Sequence, residues 1–260
     1  MAKPVLRGLH RGIVPTIAVF NKAATPLGFQ LKDLIAAMQV YVDEYVAPVW
    51  GTPAKLVHTR DFVKGAWAMV FLDSADQKDA LAYHDLTPDG LPESKVFVKT
   101  TLDDRQSVSV AASHELVEML VDPATNLMTT GPDPKAIYAY ESADPVEALD
   151  FDVQGMRMSD FVYPSYFEAF HKARSVQFDY LNKVKKPFQI LPGGYQIVFR
   201  HGKWTQVCGS VKKAKAFQKE DRRGHRSEQR KAKRLLPADK MKIRQAERVS
   251  LKRRGGLDIG

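Results

Sequence analysis

Ser113-His114-Glu115-Leu116-Val117-Glu118-Met119-Leu120-Val121-Asp122 is the stretch on which the reading of the fold turns. It has the form HExxE. On a helix, residues four apart share a face, so His114 and Glu118 project together and Asp122 follows one turn on. An imidazole and a carboxylate on one face are two ligands for a divalent metal, with zinc the first candidate. A catalytic zinc takes three protein ligands and keeps water in the open position. Glu115, beside His114, is placed to act on that water. The competing reading is a solvated acidic helix face with one surface histidine, since so short a motif arises by chance.

Working back from the motif, Ile13-Val14-Pro15-Thr16-Ile17-Ala18-Val19-Phe20 is β-rich and reads as a strand, with Pro15 placing its start at an edge. Leu31, Leu34, Ile35, Met38, Val42, Tyr45 and Val46 recur at helical spacing, which predicts a helix over 31–46 ended by Pro48 and Gly51. Lys55-Leu56-Val57-His58 and Ala66-Trp67-Ala68-Met69-Val70-Phe71-Leu72 read as two further strands. The prolines and glycine of 82–94 read as a loop. Lys95-Val96-Phe97-Val98-Lys99-Thr100-Thr101 alternates and suits an edge strand. The motif helix is expected over 107–120. His84 falls in the Pro/Gly loop, so it reads first as a surface histidine and second as a contact to the motif cleft.

Beyond the motif, a third ligand has its best local supply in Tyr140-Glu141-Ser142-Ala143-Asp144-Pro145-Val146-Glu147. If 135–149 is helical, Glu141 and Asp144 share a face, although Pro145 can break it. Phe151-Asp152-Val153 and Met156-Arg157-Met158 flank Gln154-Gly155 as a hairpin. After a turn at 192–195, residues 196–200 and 204–208 form another across His201-Gly202. Tyr163 and Tyr166 are candidates for stabilising an oxyanion, against the plainer reading of aromatic core packing.

The order strand, helix, three strands, motif helix, together with HExx, resembles the N-terminal half of the zincin metallopeptidases over about 13–122. That resemblance implies a mixed sheet packed on two helices, with an edge strand beside the active-site helix holding the peptide substrate. It also resembles the gluzincin peptidases, where a glutamate on a later helix is the third ligand and an aspartate orients a ligand histidine. Carried over, Glu141 is implied as the third ligand, Asp144 as the orienting partner and Glu115 as the general base. The departure is Glu118, which stands where those enzymes have histidine. One histidine and two carboxylates make a harder, more negative site, better suited to oxygen-seeking metals. The metzincin continuation is absent: its glycine falls at Val121 and its third histidine at Ala124. Segments 83–92, 95–100, 113–123, 138–147, 159–167 and 193–195 are also similar to a family of uncharacterised bacterial and phage-encoded proteins.

The chain has 260 residues, 44% hydrophobic and 27% charged, ordinary values for a globular protein. Cys208 is the single cysteine, which excludes an intramolecular disulfide and a cysteine-cluster zinc site. There is no apolar run of membrane-spanning length and no signal-like start, so the expected location is cytoplasmic, or virion-associated if the chain is phage-encoded. The net charge of +9 is segregated: residues 202–260 carry 19 Lys and Arg against 6 Asp and Glu, and residues 1–201 carry 20 against 24. The expected organisation is an α+β, zincin-like domain over 1–210, ending in a β-hairpin region, and a basic tail over 211–260. Lys212, Lys213, Arg222, Arg223, Arg226, Arg230, Lys231, Lys233 and Arg234 are the candidate contacts of that tail to nucleic acid or an acidic protein. Two functions are expected from these readings. One is a metal-dependent peptidase, a hydrolase acting on a peptide. The other is a non-catalytic structural or binding protein, in a phage or nucleic-acid assembly, that works through its tail.

Overall fold

Two runs with no polar face form the centre of the main sheet in the computed structural model, which describes residues 14–76 and 80–210. Ile17-Ala18-Val19-Phe20 of β1 (Thr16–Asn21) and Ala68-Met69-Val70-Phe71 of β3 (Trp67–Leu72) are buried throughout. Such continuous apolar runs suit interior parallel strands, which are covered on both faces. With β2 (Lys55–His58), β4 (Ala82–Leu86) and β5 (Pro92–Phe97) they make a five-stranded sheet ordered β2-β1-β3-β5-β4. Only the pairing of β4 is antiparallel. The fold is therefore α+β with a mixed sheet. Pro15 precedes β1 as expected, but β1 lies inside the sheet, and the Pro15 carbonyl accepts from Lys55 N at 2.9 Å.

The helix expected over 31–46 runs on to Trp50. It comprises α1 (Leu31–Val40), a π-helical segment over Tyr41–Val46 and α2 (Ala47–Trp50). Pro48 does not stop it; it falls in the first turn of α2, directly after the π-helical segment. Gly51, at φ 70°, ends it in the left-handed conformation that a side chain disfavours. One face of this helix and α4 (Val108–Val121), the motif helix, pack on the sheet. Leu34, Met38, Tyr41, Leu116 and Val117 meet Ile17, Val19, Met69 and Phe71 there.

The region around β4 corrects the sequence reading twice. Thr87-Pro88-Asp89-Gly90-Leu91 is a tight hairpin turn rather than part of a long loop. Gly90 N donates to Thr87 O at 2.8 Å, with Gly90 at φ 80°. Proline presets the turn and glycine supplies the positive φ, so these residues join two strands. The strand carrying Lys95 is consequently β5, which lies between β3 and β4, and the edge strand is β4. Lys95 is tolerated inside because its ammonium reaches Tyr83 OH at 2.9 Å and Asp76 Oδ2 at 3.1 Å. Residues 98–101, included in that strand for their alternation, instead belong to the short helix α3 (Val98–Asp103).

A second, antiparallel sheet follows the motif helix, ordered β11-β10-β7-β6. It contains β6 (Met128–Thr130), β7 (Ala136–Ala139), β10 (Tyr195–Arg200) and β11 (Lys203–Cys208). The helix expected over 135–149 is absent. Residues 136–139 pair with β6 and β10, and only Asp144–Val146 makes one 3-10 turn. Strand pairing on both sides of β7 outweighs its local propensity, and Pro145 cannot continue a helix. The hairpins β8 (Asp150–Val153) with β9 (Met156–Ser159) and β10 with β11 form where expected. No helix among the described residues is long and apolar enough to cross a membrane.

Candidate metal centre

The motif helix is buried almost all round, so its polar residues face protein instead of solvent. Glu115 and Glu118 are buried, as is Ser113, whose Oγ accepts from Ser159 N at 2.8 Å. Ser109 Oγ donates to Arg157 O at 2.7 Å. These two serines fasten α4 along β9 and fix the rotation of the helix. The solvated acidic face considered as the alternative is thereby overturned.

Helical geometry makes Glu118 the meeting point. It lies four residues after His114 and three after Glu115, the two spacings that bring side chains together. Its Oε2 is 3.6 Å from His114 Nε2. Its Oε1 accepts from the N–H groups of Ala143 and Asp144, at 3.1 and 3.4 Å. The same 3-10 turn delivers the Asp144 side chain, whose Oδ1 is 3.3 Å from His114 Nε2. From the other side, β4 brings His84, with Nδ1 3.2 Å from Glu115 Oε2 and 3.7 Å from Glu118 Oε2.

Two groups of side chains thus have the makeup to hold a metal ion: His114, Glu118 and Asp144, and His84, Glu115 and Glu118. Within each, the ligand atoms lie within 4.8 Å of one another. Two ligands each about 2.0–2.2 Å from a tetrahedral ion stand roughly 3.3–3.6 Å apart, close to the separations of His114 Nε2 from Glu118 and Asp144. The donor set, nitrogen and carboxylate oxygen, suits zinc and also metals with a greater taste for oxygen.

The electrostatics reflect this crowding. Burial alone would lower the His114 imidazole, but the Glu118 charge, the Asp144 hydrogen bond and the Glu115 and Asp144 charges outweigh it and push it up to about 10. Burial, then the charges of Asp144 and Glu141, hold the Glu118 carboxyl well above the usual range, against the opposing pull of His114. Among the described residues, the ion pairs of Glu115, Glu118 and Asp144 are all with histidine.

His114 and Glu118 therefore converge as the motif implies. Glu141 does not take the third position. It is buried near enough for its charge to act on Glu118, but it belongs to neither ligand group, and the helix that was to align it with Asp144 does not form. Asp144 stands against His114 itself. Asp122 is turned away, its two oxygens accepting from Asn126 N and Leu127 N at 2.9 and 3.0 Å. Tyr166 is buried in an aromatic cluster with Phe167 and Phe178, as the packing alternative has it. Tyr163 lies beside Asp160, Asp179 and Tyr180.

His84 is the residue that the sequence reading undervalued. Once Pro88-Asp89-Gly90 is taken as a hairpin turn, register carries the rest. His84 faces Ser94 and Ala82 faces Val96, and both β5 partners are fully buried, so His84 points inward with them. The nine basic candidates Lys212, Lys213, Arg222, Arg223, Arg226, Arg230, Lys231, Lys233 and Arg234 lie outside the described residues. Comparison with protein families, curated proteins and solved structures returns no match for this chain.

Proposed function

We propose that the chain is a zincin-like, metal-dependent hydrolase of peptide bonds, with a divalent cation on His114, Glu118 and Asp144 and with Glu115 as general base. One observation carries this reading: His114 Nε2 meets Glu118 Oε2 at 3.6 Å and Asp144 Oδ1 at 3.3 Å in a buried site assembled from two separate elements. The antiparallel edge strand β4 beside α4 supports it, because an extended peptide can add to a sheet edge by main-chain hydrogen bonds.

A cation bound there would polarise the scissile carbonyl and make water acidic enough to attack near neutral pH. The chain's own groups do the remainder. Glu115 takes the proton from the attacking water and returns it to the leaving amine, so no net proton is consumed at the carboxylate. His84, 3.2 Å from Glu115 Oε2, holds that carboxylate in place. The Ala143 and Asp144 N–H groups fix one oxygen of Glu118 and leave the other turned to His114.

The test is metal content after loading with zinc or manganese, with hydrolysis of an unstructured peptide measured beside it. His114→Ala should lose the metal. Glu115→Gln should keep it and lose about 10²–10⁴-fold in hydrolysis. Wild-type protein that holds no metal after loading sinks the reading, and unimpaired hydrolysis by Glu115→Gln removes that residue from its role. The segregated charge favours a second, separable role in which residues 212–260 hold nucleic acid.

A further inference from the structure

We propose that the site is built for two divalent cations, the second held by His84, Glu115 and a Glu118 carboxylate shared with the first. This rests on His114, Glu118 and Asp144 being the first position. The second ligand group repeats the spacing of the first: His84 Nδ1 is 3.2 Å from Glu115 Oε2 and 3.7 Å from Glu118 Oε2. The two histidines approach Glu118 from different elements, His84 from β4 and His114 from α4, and neither belongs to the other's group. A carboxylate with an imidazole on each side is the arrangement that a bridging ligand needs.

The state of His84 points the same way. Its side chain is only 4% exposed, so the ring is committed to the cluster, yet Nε2 has no hydrogen-bond partner. Among the described residues only the carboxylates at Nδ1 therefore act on its tautomer. Nδ1 is the nitrogen turned to both carboxylates, and a cation there leaves the proton on Nε2. In the two-ion state Glu115 is a ligand, so its role as base belongs to the one-ion state.

The experiment strips the full chain with chelator, titrates manganese and records the electron paramagnetic resonance spectrum. Wild type should bind two ions per chain and give an exchange-coupled signal, since ions bridged in this way lie about 3.5–4 Å apart. His84→Gln should reduce the count to one and give the spectrum of isolated manganese. Glu118→Ala should abolish the coupling. The wild-type spectrum decides the matter whether or not a variant folds. Two ions without coupling overturn the proposal. One ion that is lost in His114→Ala but indifferent to His84→Gln overturns it and leaves the one-ion reading standing. No ion at all overturns both.

Discussion

Glu118 is the residue on which the proposed site turns, and its surroundings show what a buried carboxylate there requires. A buried carboxylate needs partners, and Glu118 has two backbone N–H groups on one oxygen and two imidazoles facing the other. Asp144, on the turn that supplies one of those N–H groups, is accordingly the third ligand in the proposed site. Asp144→Ala should weaken metal binding more than about 100-fold, whereas Glu141→Gln, which alters a neighbour, should cost about 10-fold or less. A competition titration with a chromophoric chelator separates them, and equal losses would return Glu141 to the ligand set. The protons give a second prediction. Folded, metal-free His114 titrates at about 10 against 6.5 for the free imidazole, and the raised Glu118 carboxyl also keeps its proton longer than the unfolded chain does. Both make the folded state bind more protons than the unfolded state, so stability falls as pH rises. The His114 contribution is fully present below about 6.5 and is lost as pH climbs through about 10. The melting temperature of metal-free protein should decline across that window. Metal binding at pH 7 should release protons, counted by calorimetry in buffers of different ionisation enthalpy. A melting temperature unchanged across the window, with no proton release, would contradict the assignment of His114.

At the scale of elements, the turn at 192–194 determines where Asp144 sits. A Cβ at Gly194 would lie 2.3 Å from Pro145 O and 2.8 Å from Asp144 O, and these backbone atoms cannot swing aside as a side chain can. Leu191 N donates to Pro145 O at 3.0 Å, so the two turns are also bonded. Gly194→Ala should therefore cost about 1–3 kcal/mol through overpacking and weaken metal binding, although residue 194 touches no ligand atom. Chemical denaturation and a metal titration on one preparation check this, and unchanged affinity would mean that the 3-10 turn moves independently of β10. This coupling also shows which elements were legible in the sequence. Helix α4 and strands β1 and β3 were readable because periodicity and unbroken apolar runs are local signals. The Asp144 turn was not, since residues 136–139 are strand only because β6 and β10 pair with them, and that partnership spans some sixty residues. His84 was half legible. Pro88-Asp89-Gly90 has the composition of a loop and of a hairpin turn alike, and the hairpin it makes is what aims His84 at Glu115.

Over the whole molecule, charge separates more cleanly than structure does. Residues 1–201 have 24 acidic residues against 20 basic ones, and four of the acids are gathered in the buried site. Residues 202–260 carry a net +13. This division was readable at once, because charge is a property of composition and needs no contact to be known. If the nine candidate cations named among residues 212–234 each neutralise one phosphate of a duplex, the logarithm of the binding constant should fall with the logarithm of salt concentration at a slope of about −8. Deleting residues 212–260 should remove most of that slope while the metal content and the circular dichroism of the remainder stay as they were. Fluorescence anisotropy of a labelled duplex of random sequence, titrated at several salt concentrations, measures it. Binding that survives the deletion would move the nucleic-acid contact onto residues 1–211. Absence of duplex binding by the full chain at low salt would leave an acidic protein surface as the partner for this charge. The two regions are thus separately testable: a histidine substitution should empty the site without changing the salt slope, and the deletion should flatten the slope without emptying the site.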